Sequence, residues 1–229
     1  MVKYPKIETL FKRDENFKIT DEIRLPEFEN IKRWLITEKI DGTNIRVIYE
    51  PAINSYIEGR LLFRGRTDNA QIPTFLLEEL QKMFTIKKIK SILKGEPTKG
   101  VCLYGEGYGA KIQKGGGNYN KGNSFRLFDV WIDGWWLEWD SVVEVAEKLG
   151  IKTVPTLPVF TSKTATMNTT EAISIIKRRA FLSEVARREN NTEILAEGIV
   201  ARAYPMMLFR NGTPIKWKLK VKDYKEVKK

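Results

Sequence analysis

Apolar and polar positions along the chain alternate in short runs broken by tight turns. "FRLFDVWI" alternates like a half-buried strand, and "IKWKLKVKDY" alternates so that Lys216, Lys218, Lys220 and Lys222 fall on one face. Asp41-Gly42, Asp133-Gly134 and Asn211-Gly212 each sit between β-branched and aromatic runs, the pattern of a two-residue hairpin turn. We therefore expect three antiparallel hairpins.

Helical spacing replaces alternation in between. "TFLLEELQKMF" sets Leu76, Leu77, Leu80 and Phe84 on one face. "DSVVEVAEKLG" offers Ser141 and Glu144 as a capping box and Gly150 as a C-terminal stop, and a third helix is expected from about Thr170 to Arg188. Helices segregated from antiparallel strands predict an α+β fold, antiparallel sheets with flanking helices. The Gly-rich stretch "GEGYGAKIQKGGGNYNKGN" follows the strand "VCLY" but leads into a poor helix, which excludes a dinucleotide fingerprint; no Gly-Lys-Ser/Thr is present for a Walker loop. Residues 114–123 read as a surface loop open to substrate contact.

Composition narrows the chemistry. Among 229 residues there is one cysteine, Cys102, and no histidine, which excludes a disulfide framework, a cysteine-based zinc site and histidine acid–base catalysis. Catalysis must use carboxylates, lysines or hydroxyls. With no signal-like apolar run and no span of about 20 apolar residues, we expect a soluble, cytoplasmic protein without membrane partners. Forty basic against 29 acidic residues give a net charge of +11, which suits a polyanionic partner or a solvated lysine-rich surface.

Lys39 stands out by comparison within the chain. "EKIDG" and "VWIDG" share Ile-Asp-Gly, yet Trp131 takes the place of Lys39 in the second, so the turn itself does not require lysine. Candidates at other strand ends accompany it: Arg66 in "FRGRT", Glu106 in "VCLYGE", Phe128 and Asp129 in "FRLFDV", and Glu197 in "LAEGIVAR". The lysine face of the last strand reads either as an edge strand defended against aggregation or as a clamp for phosphate. Trp131, Trp135, Trp136 and Trp139 read as packing.

In their order and spacing these motifs resemble the covalent nucleotidyltransferases, and within them the type-two RNA ligases, the nick-sealing enzymes of phages and trypanosome editing complexes. "EKIDGTN", "RT" at Arg66, "YGEGYGAKIQK", "FRLFDV", "AEGIVAR" and "KWKLKVKDY" carry the resemblance over nearly the whole chain, and "LFRNG" fits it too. Asp41 stands where the best-known phage member has His. The resemblance implies an ATP-grasp-like nucleotidyltransferase fold of the ligase/capping superfamily, spanning residues 1–229 as one domain without an OB or C-terminal accessory domain.

It also implies the chemistry. Lys39 attacks the α-phosphate of ATP to form lysyl-AMP, the AMP passes to a 5′-phosphate RNA end, and a 3′-hydroxyl displaces it. An ordinary lysine, with a pKa of about 10.4, is so seldom neutral at pH 7 that this costs about 4–5 kcal/mol, which nearby cations offset. The implied roles place Glu38 on adenine through its backbone or side chain, and Phe128 stacked on the base. Arg66 and Glu106 hold the ribose and orient the phosphates, Lys218 and Lys220 grip the α-phosphate, and Glu197 ligates Mg²⁺ (or Mn²⁺). Asp41 orients Lys39 or simply forms the turn. The expected partners are RNA ends, including nicked duplex, met by a monomer. A DNA ligase, a capping-type nucleotidyltransferase and a non-catalytic RNA-binding domain are the alternatives.

Overall fold

The computed structural model describes residues 3–52, 59–157, 166–177 and 181–225. From the N-terminus run β1 (Glu8–Thr9), β2 (Phe11–Arg13), β3 (Ile19–Ile23), α1 (Pro26–Asn30), β4 (Trp34–Lys39), β5 (Thr43–Glu50) and β6 (Arg60–Gly65). There follow α2 (Thr74–Met83), α3 (Ile86–Ser91), β7 (Val101–Gly109), β8 (Asn123–Ile132), β9 (Trp135–Trp136), α4 (Trp139–Leu149) and β10 (Lys152–Thr153). The last are β11 (Thr156–Leu157), α5 (Thr169–Lys177), α6 (Glu184–Asn190), β12 (Gly198–Ala203), β13 (Lys216–Lys220) and α7 (Lys222–Lys225). This is the expected α+β class of antiparallel sheets with flanking helices. Among the described residues no helix is long and apolar enough to cross a membrane.

Two compact units divide the chain, one of Met1–Tyr4 and Asp41–Val154, the other of Pro5–Ile40 and Pro155–Lys229. In the first, the sheet order is β10-β8-β7-β5-β6, with β9 paired to β8. All its pairings are antiparallel except the short β10–β8 edge. Helices α2 and α4 pack on β8, where Phe84 meets the Phe125 ring edge-on at 5.3 Å. Leu76, Leu80 and Phe84 are buried, as the helical spacing predicts.

In the second unit the order is β1-β13-β12-β4-β11. The central strands alternate cleanly. Trp34 and Ile36 of β4, Ile199, Ala201 and Ala203 of β12, and Trp217 and Leu219 of β13 share one face, whose core also takes Phe28, Ala172 and Ile176 from the helices. Trp34 and Trp217 meet there at 5.5 Å. A short second sheet, β2 with β3, forms a hairpin.

Several expectations fail for identifiable reasons. Asp41-Gly42 makes no hairpin: β4 pairs with β11 and β12, β5 pairs with β6 and β7, and the chain leaves one unit for the other at this turn. Asp133-Gly134 does make one, with both residues at positive φ (51° and 108°), the geometry of a type I′ turn. Asn211-Gly212 closes a smaller loop with one bridge, Leu208 to Pro214. The helix expected from Thr170 to Arg188 is two helices, α5 and α6, with residues 178–180 outside the described residues. Helix α4 begins a turn earlier than the capping box requires, so Ser141 lies inside it and Glu144 pairs with Lys148 instead. Gly150 ends it as expected, at φ 67°. Strand β13 lies between β1 and β12 and is no edge strand. Trp135 is 75% exposed, against the packing role expected of it.

Candidate functional site

Strand register in the second unit aligns the lysines. Gly198 of β12 is the direct partner of Lys39 on one side and of Lys220 on the other. Residues directly opposite in antiparallel strands point to the same face, so Lys39 and Lys220 project together, two strand spacings or roughly 10 Å apart at their Cα atoms. Glycine lies between them because nothing larger fits. A Cβ on Gly198 would stand 2.0 Å from the Leu219 carbonyl oxygen and 2.8 Å from the Lys220 Cα. One residue pair further along, Val200 faces Lys218 on β13 and Thr37 on β4, which puts Lys218 on the same face as Lys220.

Glu197 precedes β12 and so escapes its alternation. Its carboxylate accepts from both lysines: Lys39 Nζ lies 2.5 Å from Oε2 and Lys220 Nζ 2.6 Å from Oε1. All three side chains are mostly buried. Burial pushes the Glu197 carboxyl up, but the charges and hydrogen bonds of Lys39 and Lys220 outweigh it and hold the group below its ordinary value. Lys216, on the same lysine row, is buried more deeply than Lys218 and Lys220.

Glu38 points the opposite way, into the core face, and is 2% exposed. Its carboxylate accepts from the Ser183 hydroxyl at 2.5 Å and from the backbone N–H groups of Glu184 at 3.0 Å and Val185 at 3.3 Å. It therefore anchors the first turn of α6, where Ser183 is also the N-cap and accepts from the Ala186 N–H. The side chain is thus engaged in this cap, and the Glu38 backbone N–H donates to the Pro155 carbonyl at 2.9 Å.

The remaining candidates lie in the first unit. Arg66 is exposed directly after β6, and the buried Arg46 brackets it by donating to the Gly65 carbonyl at 2.8 Å and to Asp68 at 2.7 Å. Glu106 lies within β7 rather than at its end, opposite Asn44 and Arg126. Asp41 is half-buried, and next to it Gly42 runs against Gly107 so closely that a Cβ would stand 2.3 Å from the Gly107 carbonyl oxygen. Phe128 occupies a bulge: Tyr104 pairs with Asp129 and Gly105 with Leu127, so Phe128 is the extra residue, half-buried amid fully buried neighbours. The plain alternation expected of "FRLFDVWI" breaks there. The Phe128 ring lies 5.0 Å from the ring of Tyr4, whose hydroxyl donates to Asp129 at 2.5 Å.

Sequence reading passed over Ser183, Arg46 and Tyr4. A serine opening "SEVARREN" is a helix-start signal that points to Ser183; for Arg46 and Tyr4, whose partners lie 22 and 125 residues away, no local signal exists.

A divalent cation would have few protein ligands. Among the described residues, no three His, Cys, Asp or Glu side chains gather to hold one. Glu197 fits a hard, hydrated cation that takes a single carboxylate and fills its other positions with water and phosphate.

The RNA ligase family model matches residues 32–218. No curated protein matches the chain. Among solved structures it is similar to Naegleria gruberi RNA ligase. A mutant of that enzyme with ATP and Mn is 18% identical with a TM-score of 0.63, over 98% of this chain and 57% of the other. The same ligase with PPi is 18% identical with a TM-score of 0.60, and another mutant with AMP and Mn is 19% identical with a TM-score of 0.60; each match covers 97% of this chain and 63% of the other. The chain thus spans about three-fifths of the length of these ligases, and at this identity the likeness is one of fold.

Proposed function

This chain belongs to the RNA ligase family, and on that premise we propose that it is an ATP-dependent RNA ligase with Lys39 as its nucleophile. The observation that carries the reading is the register row Lys39–Gly198–Lys220 with Glu197 set against both ammonium groups. A lysine held on a rigid strand beside further cations is the arrangement that nucleophilic attack on a phosphate needs.

As described, Lys39 is an ammonium paired with a carboxylate, and attack needs the free amine. The pairing must open first. Negative phosphate oxygens reaching Lys218 and Lys220 would draw them from their present partners, and Glu197 would be freed to meet a metal ion. A bound Mg²⁺ or Mn²⁺ would supply positive charge against the transferring phosphate and against the Lys39 ammonium. Lys39 Nζ, having released a proton to solvent, then forms the bond to the α-phosphorus as the bond to pyrophosphate breaks, and it loses a second proton to solvent to leave lysyl-AMP. In the next steps AMP passes to a 5′-phosphate RNA end, and a 3′-hydroxyl displaces it to close the phosphodiester.

Arg66, Glu106 and Phe128 are proposed for ribose, phosphates and adenine, and Glu38 for adenine through its backbone or side chain, on the strength of their motifs. Asp41 is proposed to orient Lys39. The ATP and Mn of the Naegleria ligase structures support the same choice of nucleotide and a divalent metal here. Residues 1–229 are proposed to act as one nucleotidyltransferase domain, a monomer working in the cytoplasm.

The test is ligation. RNA strands with 5′-phosphate and 3′-hydroxyl ends, free or abutted on a complementary strand, are incubated with the protein, ATP and Mg²⁺. Joined RNA that requires ATP and is absent with Lys39→Ala is expected. Joining of DNA ends only, or label taken up from GTP rather than ATP, would replace the reading with a DNA ligase or a capping-type enzyme.

A further inference from the structure

Beside Lys220, the second unit opens into a groove of about 690 Å³. It is lined by β1 and the residues just before it, by β13 and the start of α7, and by the hairpin of β2 and β3. Seven basic and three acidic residues line it. The acids are already engaged. Glu8 pairs with Lys6 at 3.0 Å and Arg24 at 2.9 Å, and both oxygens of Asp223 accept from Arg13 Nη2, at 3.0 and 2.9 Å. Asp14 accepts the backbone N–H groups of Asn16 and Lys18 within the hairpin loop. Lys18 and Lys222, by contrast, carry ammonium groups without an ion pair or hydrogen bond among the described residues. At Lys18 and Lys222 the groove therefore presents positive charge that none of the described residues neutralises.

At its rim stands Phe17, 79% exposed. Its backbone is left-handed, φ 61°, at a position where the turn from Asp14 to Phe17 would ordinarily place glycine. A bulky side chain held outward on a strained backbone, beside free ammonium groups, calls for a partner with both an apolar face and negative charge.

Single-stranded nucleic acid has that chemistry: phosphates that follow a basic groove and bases that stack on aromatic rings. A lone pyrophosphate would leave most of the groove empty and Phe17 unused. We propose that this groove binds an unpaired RNA segment, with phosphates over Lys18 and Lys222 and a base stacked on Phe17. The choice of RNA over DNA rests on the ligase reading above; the stacking and charge do not. A base in a continuous duplex has no free face to offer Phe17, so the groove favours RNA with an unpaired flank over a flush duplex.

Fluorescence anisotropy with a short labelled oligouridylate tests this on the full chain. Phe17→Gly relieves the left-handed strain, so weaker binding by that variant is not a folding defect, and thermal melting checks this directly. The expected result is a loss of affinity of about fivefold or more for Phe17→Gly, recovery with Phe17→Trp, and weaker binding of a perfect duplex. Lys18→Ala combined with Lys222→Ala should lower the slope of log affinity against log salt by about 1.4. Labelling of the chain by ATP in the absence of RNA should be unchanged in all these variants. Equal binding of the oligouridylate by Phe17→Gly and wild type, or equal binding of duplex and single strand, would overturn the proposal. So would a Phe17→Gly protein that binds RNA normally but is no longer labelled by ATP, which would assign the groove to the triphosphate. Absence of labelling in the wild type would defeat the ligase reading alone, and the RNA comparison would still decide this one.

Discussion

Lys39 and Glu197 form an ion pair at 2.5 Å, and the other oxygen of Glu197 carries Lys220 at 2.6 Å. The pair makes stability depend on pH. Because the fold lowers the Glu197 pKa, its contribution is complete above the unfolded value near 4.5 and is lost as pH falls through the lower folded value. Urea titrations at stepwise lower pH should show wild type losing stability below about pH 4.5 and Glu197→Gln losing less over the same interval. At neutral pH Glu197→Gln should be less stable than wild type by about 1–3 kcal/mol, since two mostly buried ammonium groups lose their counter-charge.

Glu38 and Ser183 together close the N-terminus of α6. Ser183→Ala should cost about 1 kcal/mol, the loss of an N-cap, and Glu38→Ala about 2–3 kcal/mol, since three donors lose a charged acceptor. Chemical denaturation measures both. Stability unchanged in Glu38→Ala would mean that the carboxylate is not what holds this helix.

Gly198 separates the two lysines of the row. Gly198→Ala drives a methyl into the Leu219 carbonyl, and backbone cannot yield as a flexible side chain can. The expected cost is about 1–3 kcal/mol, with labelling by ATP reduced at least about tenfold as Lys39 and Lys220 lose their spacing. Denaturation and labelling of the same preparation check the two effects together.

In the first unit, Tyr4 donates to the buried Asp129 and packs on Phe128. Tyr4→Phe keeps the ring and removes only the donor, so it should lower stability by about 1.5–3 kcal/mol. If Phe128 binds adenine, the KM for ATP in labelling should rise as its neighbour loosens, with Lys39→Ala as the blank.

What could be read in the sequence follows the range of the forces involved. Lys39 stands out in the sequence because the chain repeats its own turn with Trp131 in the lysine's place, and the shared face of Lys218 and Lys220 was legible because alternation fixes it. Hairpin chemistry identified Asp133-Gly134 correctly, where both residues adopt positive φ. The same dipeptide misled at Asp41-Gly42, since the strands on either side pair elsewhere and Gly42 is needed for its approach to Gly107. The break between α5 and α6 was hidden by a continuous helical pattern. The acceptor at the start of α6 is Glu38, 145 residues from Ser183. The engagement of both Glu197 oxygens likewise needed the register of β4, β12 and β13, which no local pattern encodes.

The most direct test of the central claim is the mass of the intact chain after incubation with ATP and Mg²⁺, followed by peptide mapping. The account predicts a gain of one adenylyl group, carried on Lys39 and absent from Lys39→Ala. An adenylyl group of the same abundance on Lys39→Ala, or one mapped in wild type to another residue, would contradict it.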